Sequence, residues 1–213
     1  MQPIGHLERL LRDDSRFVPM RGAILGAYRA LHASFQRGGK LLLCGNGGSA
    51  CDCQHIAGEL MKGFLLKRPL TDAEASLFAP YGAEGGILAQ KLQRALPCIV
   101  LSDLMGLSTA FANDVDASYA YAQQAFAFAK EGDVLLGIST SGNAKNVYNA
   151  AVAAKVKGAY ILALTGEGGG KLAEIADGLL AVPERETYRV QEMHLPLYHA
   201  LCAMLESAFF EDV

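Results

Sequence analysis

No stretch of this 213-residue chain stays apolar for the roughly 18 residues that a membrane-crossing helix needs, so no such helix is expected. The first residues, MQPIGHLERLLRDDSRF, scatter charges through the segment and contain no apolar core, which argues against a signal peptide. No Lys- or Arg-rich run is present, and 19 basic against 22 acidic side chains leave a formal net charge of −3. That balance excludes a dedicated nucleic-acid binder, while small anionic ligands need only a few aimed donors. The five cysteines, Cys44, Cys51, Cys53, Cys98 and Cys202, form no CxxC pair. Their odd number, without an export signal, predicts reduced thiols and a cytoplasmic protein. Cys51 and Cys53 flank Asp52 and are expected to be ordinary helix residues, since two thiols alone make a poor zinc site.

What is present is apolar. With 51% hydrophobic and 19% charged residues the chain has enough burial to offset its conformational entropy, and its length suits a single domain over 1–213. Glycines punctuate it. An amphipathic pattern over 17–37 predicts a helix that stops at Gly38-Gly39, and Lys40–Cys44 then reads as a strand buried on both faces. Apolar runs follow at 98–101, 133–138, 159–164 and 178–182. They alternate with helical patterns near 105–129, 143–157, 170–176 and 187–211. The alternation predicts an α/β three-layer sandwich: a mostly parallel five-stranded sheet with helices on both faces. Two segments break the rhythm. Residues 1–37 form an N-terminal helical segment packed on the sheet or on a partner. Residues 66–97 are too long for a strand-to-helix connection and read as an insertion with a helix near 86–95.

Ligands of an open parallel sheet bind beyond the carboxyl ends of the strands. Two turns there have unusual composition: Gly45-Asn46-Gly47-Gly48-Ser49 after the first strand, and Ser139-Thr140-Ser141-Gly142-Asn143 after the third. Clustered hydroxyls and free backbone N–H groups at a helix N-terminus suit a phosphate. The competing use is helix capping by Ser141 or Asn143. Residues 45–50 fail the GxGxxG spacing, and no acidic residue closes a second strand about twenty residues on, so a nicotinamide enzyme is rejected.

His55 and Glu59 lie one turn apart on one helix face, either as a solvated pair or as proton-transfer or metal-binding groups. The last helix carries Gln191, Glu192, His194 and His199 around Pro196. Gln191 and His199 stand about 80° apart on an ideal helix. They would converge on one point only if a kink at the proline or long side chains helped, and Glu192 or Leu195 aligns better with His199. Spacing alone selects no partner. His194 and His32 are expected to be ordinary helix histidines, and His6 part of a mobile terminus.

CGNGGSACDCQHIAGEL (44–60), the Asn-Asp pair at 113–114, EGDVLLGISTSGNAKNV (131–147) and RVQEMHLPLYHAL (189–201) together resemble the sugar isomerase (SIS) domain. Within it they are most similar to phosphoheptose isomerases, which convert sedoheptulose 7-phosphate into a heptose phosphate. The likeness runs over most of 15–210, interrupted at 66–97. It implies the SIS-type, flavodoxin-like arrangement of the sandwich. By the same resemblance, Asn46, Gly47, Gly48, Ser49, Asn113, Asp114 and Gln191 contact the sugar phosphate, and Ser139, Thr140 and Ser141 hold the phosphate group. His55, Glu59, Gln191 and His199 match the family's zinc ligands, one ion per subunit. Glu59 doubles as the base and His199 as its acid/base partner. The family forms homotetramers with active sites at subunit boundaries, so Gln191 and His199 are expected to meet His55 and Glu59 across chains. Long apolar terminal helices agree with such an assembly.

Three positions depart from the pattern. Ala50 stands where the closest members commonly have His, and Ala144 where many have a Ser that adds a phosphate donor. The 66–97 insertion is expected near the active-site mouth. An alternative reading is a non-catalytic SIS protein that binds a partner, of the replication-initiator-associating kind. A third is a ligand-sensing regulator module, which lacks any accompanying DNA-binding segment here. Retention of His55, Glu59, Gln191 and His199 favours the enzyme, acting on a phosphorylated sugar.

Overall fold

Leu41–Cys44 (β1) is buried at all four positions, as a strand covered on both faces must be. Around it the computed structural model, which describes residues 1–211, builds the expected sheet. Its strands are β1, Cys98–Val100 (β2), Val134–Ser139 (β3), Tyr160–Thr165 (β4) and Gly178–Ala181 (β5). They run in the order β2-β1-β3-β4-β5, every pairing parallel. Leu41 pairs with Cys98 on one side and Val134 on the other, which sets the register. The chain moves outward in opposite directions from β1 and β3, so the loops after these two strands flank the crevice where such sheets bind ligands.

Alternate strand residues feed two cores. Leu41 and Leu43 pack beneath the helices Pro3–Asp13 (α1), Arg21–Gln36 (α2), Gly48–Met61 (α3) and Thr187–Phe210 (α10). Leu42 and Cys44 face Ala120–Phe128 (α7), Lys145–Val156 (α8) and Gly170–Ile175 (α9). The side-chain period of two in a strand thus produces the three layers.

The structure refines several boundaries. Pro19 sits in a 3-10 turn over Ser15–Met20, so the first long helix starts at Arg21 and ends before Gly38 at φ +77. α1 is not a mobile end: Leu7, Leu10 and Leu11 are buried, α1 packs on α10, and His6 Nε2 lies 2.9 Å from Ser207 Oγ. The helical pattern near 105–129 is broken into Met105–Phe111 (α6), a π turn at Ala112–Asp116, a 3-10 turn and α7. Asp116 is the break, extended in backbone and accepting from Ser118 N–H. α10 continues through Pro196.

The insertion folds as Asp72–Ser76 (α4), opened by a Thr71–Glu74 capping box, and Gly82–Lys91 (α5), which lies a few residues earlier than expected. An antiparallel bridge, Pro69 to Gln93, closes its base. Arg68 roots it, buried against Glu206 of α10.

Candidate active site

The loops after β1 and β3, with the start of α10, enclose a cavity of about 370 Å³. Asn46, Gly47, Gly48, Ser49, Ser139, Thr140, Ser141 and Gln191 line it, all of them expected from the sequence, together with Ile138, Ala144 and Thr187. No ionisable side chain is among these residues. Three helices begin at the cavity: α3 at Gly48, α8 at Lys145 and α10 at Thr187, and none has a side-chain cap. Their partial positive charge faces the cavity and suits an anion, although Ser49 and Ala50 N–H already pair with Asn46 O and Gly47 O, and Val147 N–H with Asn146 Oδ1.

Capping of α8 by Ser141 or Asn143 is ruled out, because Ala144 occupies its N-cap. Ser139 Oγ instead accepts from Ala144 N–H, and Ser141 Oγ from Asn143 N–H. Each serine keeps its own hydrogen to donate to a ligand. Asn143 braces the loop from behind: its side chain donates to Ser141 O and accepts from Lys171 N–H of α9. Asn46 is locked by a reciprocal amide pair with Asn146 at 2.8 and 2.9 Å, a partner that no motif signals. Gly47 adopts φ +54 to turn the chain into α3. A methyl group at Gly48 would overlap the Gln191 amide.

α3 and α10 lie side by side in parallel: Gly48 meets Gln191, and seven residues further along α3, His55 meets His199. This resolves the spacing question, since Gln191 and His199 do not converge on one point but face successive positions of the neighbouring helix. His55 Nε2 stands 3.2 Å from Glu59 Oε1 and 3.4 Å from His199 Nε2, all within one chain. Glu59 is mostly buried, and its other oxygen lies 3.4 Å from Lys62 Nζ. Burial, and then His55, hold the His199 imidazole below its ordinary value, leaving it neutral near pH 7.

Behind His55, its Nδ1 lies 2.9 Å from the Tyr198 hydroxyl, which donates to Asp52 Oδ1 at 3.2 Å. Sequence reasoning passed over both residues; the signals were Asp52 one turn ahead of His55 and Tyr198 next to His199. Asn113 and Asp114 do not join the cavity. They sit exposed in the π turn, where Asn113 donates to Asp114. The insertion's root does reach the site: Arg68 donates to the carbonyls of Glu59 and Leu60.

Comparison with known proteins settles the family. The SIS domain pattern matches residues 16–95 and 81–166. The chain belongs to the phosphoheptose isomerase family of SIS-domain proteins. It is 39% identical over 181 residues to a phosphoheptose isomerase of Desulfovibrio desulfuricans, covering 85% of this chain and 74% of that protein. A phosphoheptose isomerase of Aneurinibacillus thermoaerophilus is 38% identical over 178 residues, covering 84% and 77%. The structure of phosphoheptose isomerase from Neisseria gonorrhoeae superposes with a TM-score of 0.73 at 31% identity, over 96% of each chain.

Proposed function

We propose that this SIS-domain chain is an aldose–ketose isomerase that converts sedoheptulose 7-phosphate to a heptose 7-phosphate through an enediolate. The observation that carries the reading is the parallel register of α3 and α10. It sets a cradle of neutral donors at one end and Glu59, His55 and His199 further along the same groove. At 1.5 Å per residue, His55 lies about 10 Å along the axis from Gly48. Staggered bonds of about 1.5 Å advance roughly 1.25 Å each, so the seven bonds from phosphorus to C2 of an extended ketose 7-phosphate span about 9 Å. The two lengths agree.

The phosphate, held by neutral donors and helix N-termini, fixes one end of the sugar. The Glu59 carboxylate then takes a proton from C1, next to the C2 carbonyl, and the C1–C2 enediolate forms. Neutral His199 moves a proton between the two oxygens, and Glu59 returns its proton to C2. No proton is gained or lost overall, as an isomerisation requires.

The donor set suits zinc in kind: two imidazoles, a carboxylate and an amide oxygen. Tetrahedral bonds of 2.0–2.1 Å put neighbouring ligand atoms about 3.3 Å apart, close to the 3.2 and 3.4 Å separations around His55 Nε2. Among the described residues, however, no group of three His, Cys, Asp or Glu surrounds a common point, and Gln191 stands at Gly48. His55, Glu59 and His199 would have to draw onto one point to hold the ion, with Gln191 turned from Gly48 to complete the set. When bound, zinc supplies charge stabilisation to the enediolate oxygens.

A homotetramer is part of the proposal. Leu77, Tyr81, Met105 and Val115 are each more than 60% exposed, apolar side chains that further copies of the chain would cover. Burial pushes the Cys44 and Cys98 thiols up to about 12, and all five cysteines are unpaired, in keeping with a reducing cytoplasm. The partner-binding alternative has no observation in its favour.

The test is turnover of sedoheptulose 7-phosphate by the purified, metal-analysed protein beside a panel of C5–C7 ketose phosphates. Isomerisation that falls at least a thousandfold in Glu59→Gln supports the proposal. Absence of turnover with every ketose phosphate overturns it.

A further inference from the structure

We propose that Tyr198 and Asp52 are positioning residues that keep a proton on His55 Nδ1 and so aim its Nε2 at Glu59 and His199. The proposal rests on the isomerase reading for its consequence in turnover, but its structural content stands on hydrogen counting alone.

A tyrosine hydroxyl carries one hydrogen and an ionised carboxylate carries none. Tyr198 Oη lies between two partners, His55 Nδ1 at 2.9 Å and Asp52 Oδ1 at 3.2 Å. Its single hydrogen can serve only one of them. Given to His55, it would leave the Asp52 carboxylate without any side-chain donor, since Oδ2 is already buried without a hydrogen-bond partner. A stranded, half-buried carboxylate costs more than a stranded imidazole nitrogen, because the penalty is larger for a charged group. Glu59, the other carboxylate beside His55, has Lys62 as a second donor, and Asp52 has none, so the hydrogen goes to Asp52 and the hydroxyl oxygen can only accept from His55. His55 must then carry a proton on Nδ1, whatever its Nε2 holds towards the Glu59 carboxylate 3.2 Å away.

The rings prevent the alternative arrangement by rotation. Tyr198 is 2% exposed, and its ring meets the His55 ring edge-on with centroids 5.5 Å apart. On the other side the His199 ring stands edge-on to His55 at 4.8 Å. Flipping the imidazole would exchange its nitrogens for carbons at both ends of the chain Asp52–Tyr198–His55. Only Tyr198 Oη meets Nδ1, so the Nδ1 proton is set by one contact between α3 and α10.

The experiment uses the full chain with 15N-labelled histidine, dialysed against chelator so that no cation sets the tautomer, with His55→Ala to assign the resonances. The proposal expects His55 to show a protonated Nδ1. It expects that pattern to weaken in Tyr198→Phe, which keeps the ring and removes the hydroxyl. Because Tyr198→Phe strands Asp52, the double variant Tyr198→Phe/Asp52→Asn is measured beside it as the better-folded form. In sedoheptulose 7-phosphate turnover both variants should lose at least tenfold in kcat with KM within twofold, since the phosphate cradle at Gly48 and Ser139 is untouched.

A wild-type His55 with no proton on Nδ1 overturns the proposal, and so does a protonation pattern and kcat unchanged in both variants. If the Nδ1 proton responds as stated while the wild-type chain turns over no ketose phosphate, the positioning stands and the isomerase reading falls.

Discussion

Arg68 and Glu206 form an ion pair with both side chains almost fully buried, 2.8 Å apart, between the insertion and α10. The Glu206 carboxylate also accepts the backbone N–H groups of Phe64, Leu65 and Leu66, and Arg68 stacks on the Phe210 ring. The same guanidinium holds the carbonyls of Glu59 and Leu60 at the end of α3. One buried pair thus ties the insertion, the helix carrying the base and the helix carrying His199.

Removing one partner leaves the other charge buried and unpaired. Arg68→Met is expected to destabilise the protein by about 3–5 kcal/mol. The midpoint of denaturant unfolding measures it, and a loss below about 1 kcal/mol would show that the pair is solvated in solution.

Gly48→Ala separates binding from folding. The atom a new methyl would meet is the far end of the flexible Gln191 side chain, so the chain should fold with nearly unchanged stability. Gln191 is displaced from the phosphate cradle, and KM for the ketose phosphate should rise about tenfold. Thermal melting beside steady-state kinetics checks both halves.

Ser139→Ala and Ser141→Ala each remove a hydroxyl that donates to a charged ligand. Hydrogen bonds to charged groups contribute about 1.5–3 kcal/mol, so each variant should raise KM roughly tenfold to a hundredfold. Inorganic phosphate as a competitive inhibitor should weaken in parallel, which locates the loss at the phosphate group.

Burial holds the His194 imidazole down to about 4, below its ordinary 6.5, and its Nε2 faces Thr165 O. The folded protein therefore binds this proton less well than the unfolded chain. The stability His194 contributes is present above pH 6.5 and is lost as the pH falls towards 4, at up to about 1.4 kcal/mol per pH unit. His194→Leu should flatten that stretch of the stability profile, measured by denaturant titration at successive pH values.

The layers were legible in the sequence because a parallel sheet writes itself as short apolar runs between glycines, as at Leu41–Cys44. The cradle was legible because GNGGS and STSGN put small donors at helix starts. His55 with Glu59 followed from helix period. What stayed hidden depended on packing between elements remote in sequence. The α3–α10 register decides that Gln191 faces Gly48 while His199 faces His55, and no spacing within one helix contains it. Asn146, Thr187, Tyr198 and Arg68 are ordinary residues until a partner across the fold gives them work. The π turn at Ala112–Asp116, which keeps Asn113 and Asp114 out of the cavity, follows an unbroken helical pattern.

The central claim is that Glu59 carries a substrate proton. Run in D2O over many turnovers, the wild-type reaction should place solvent deuterium at C1 of the ketose and C2 of the aldose, and Glu59→Gln should abolish both the exchange and the isomerisation. Aldose formed without deuterium at either carbon, or exchange that survives in Glu59→Gln, would contradict it.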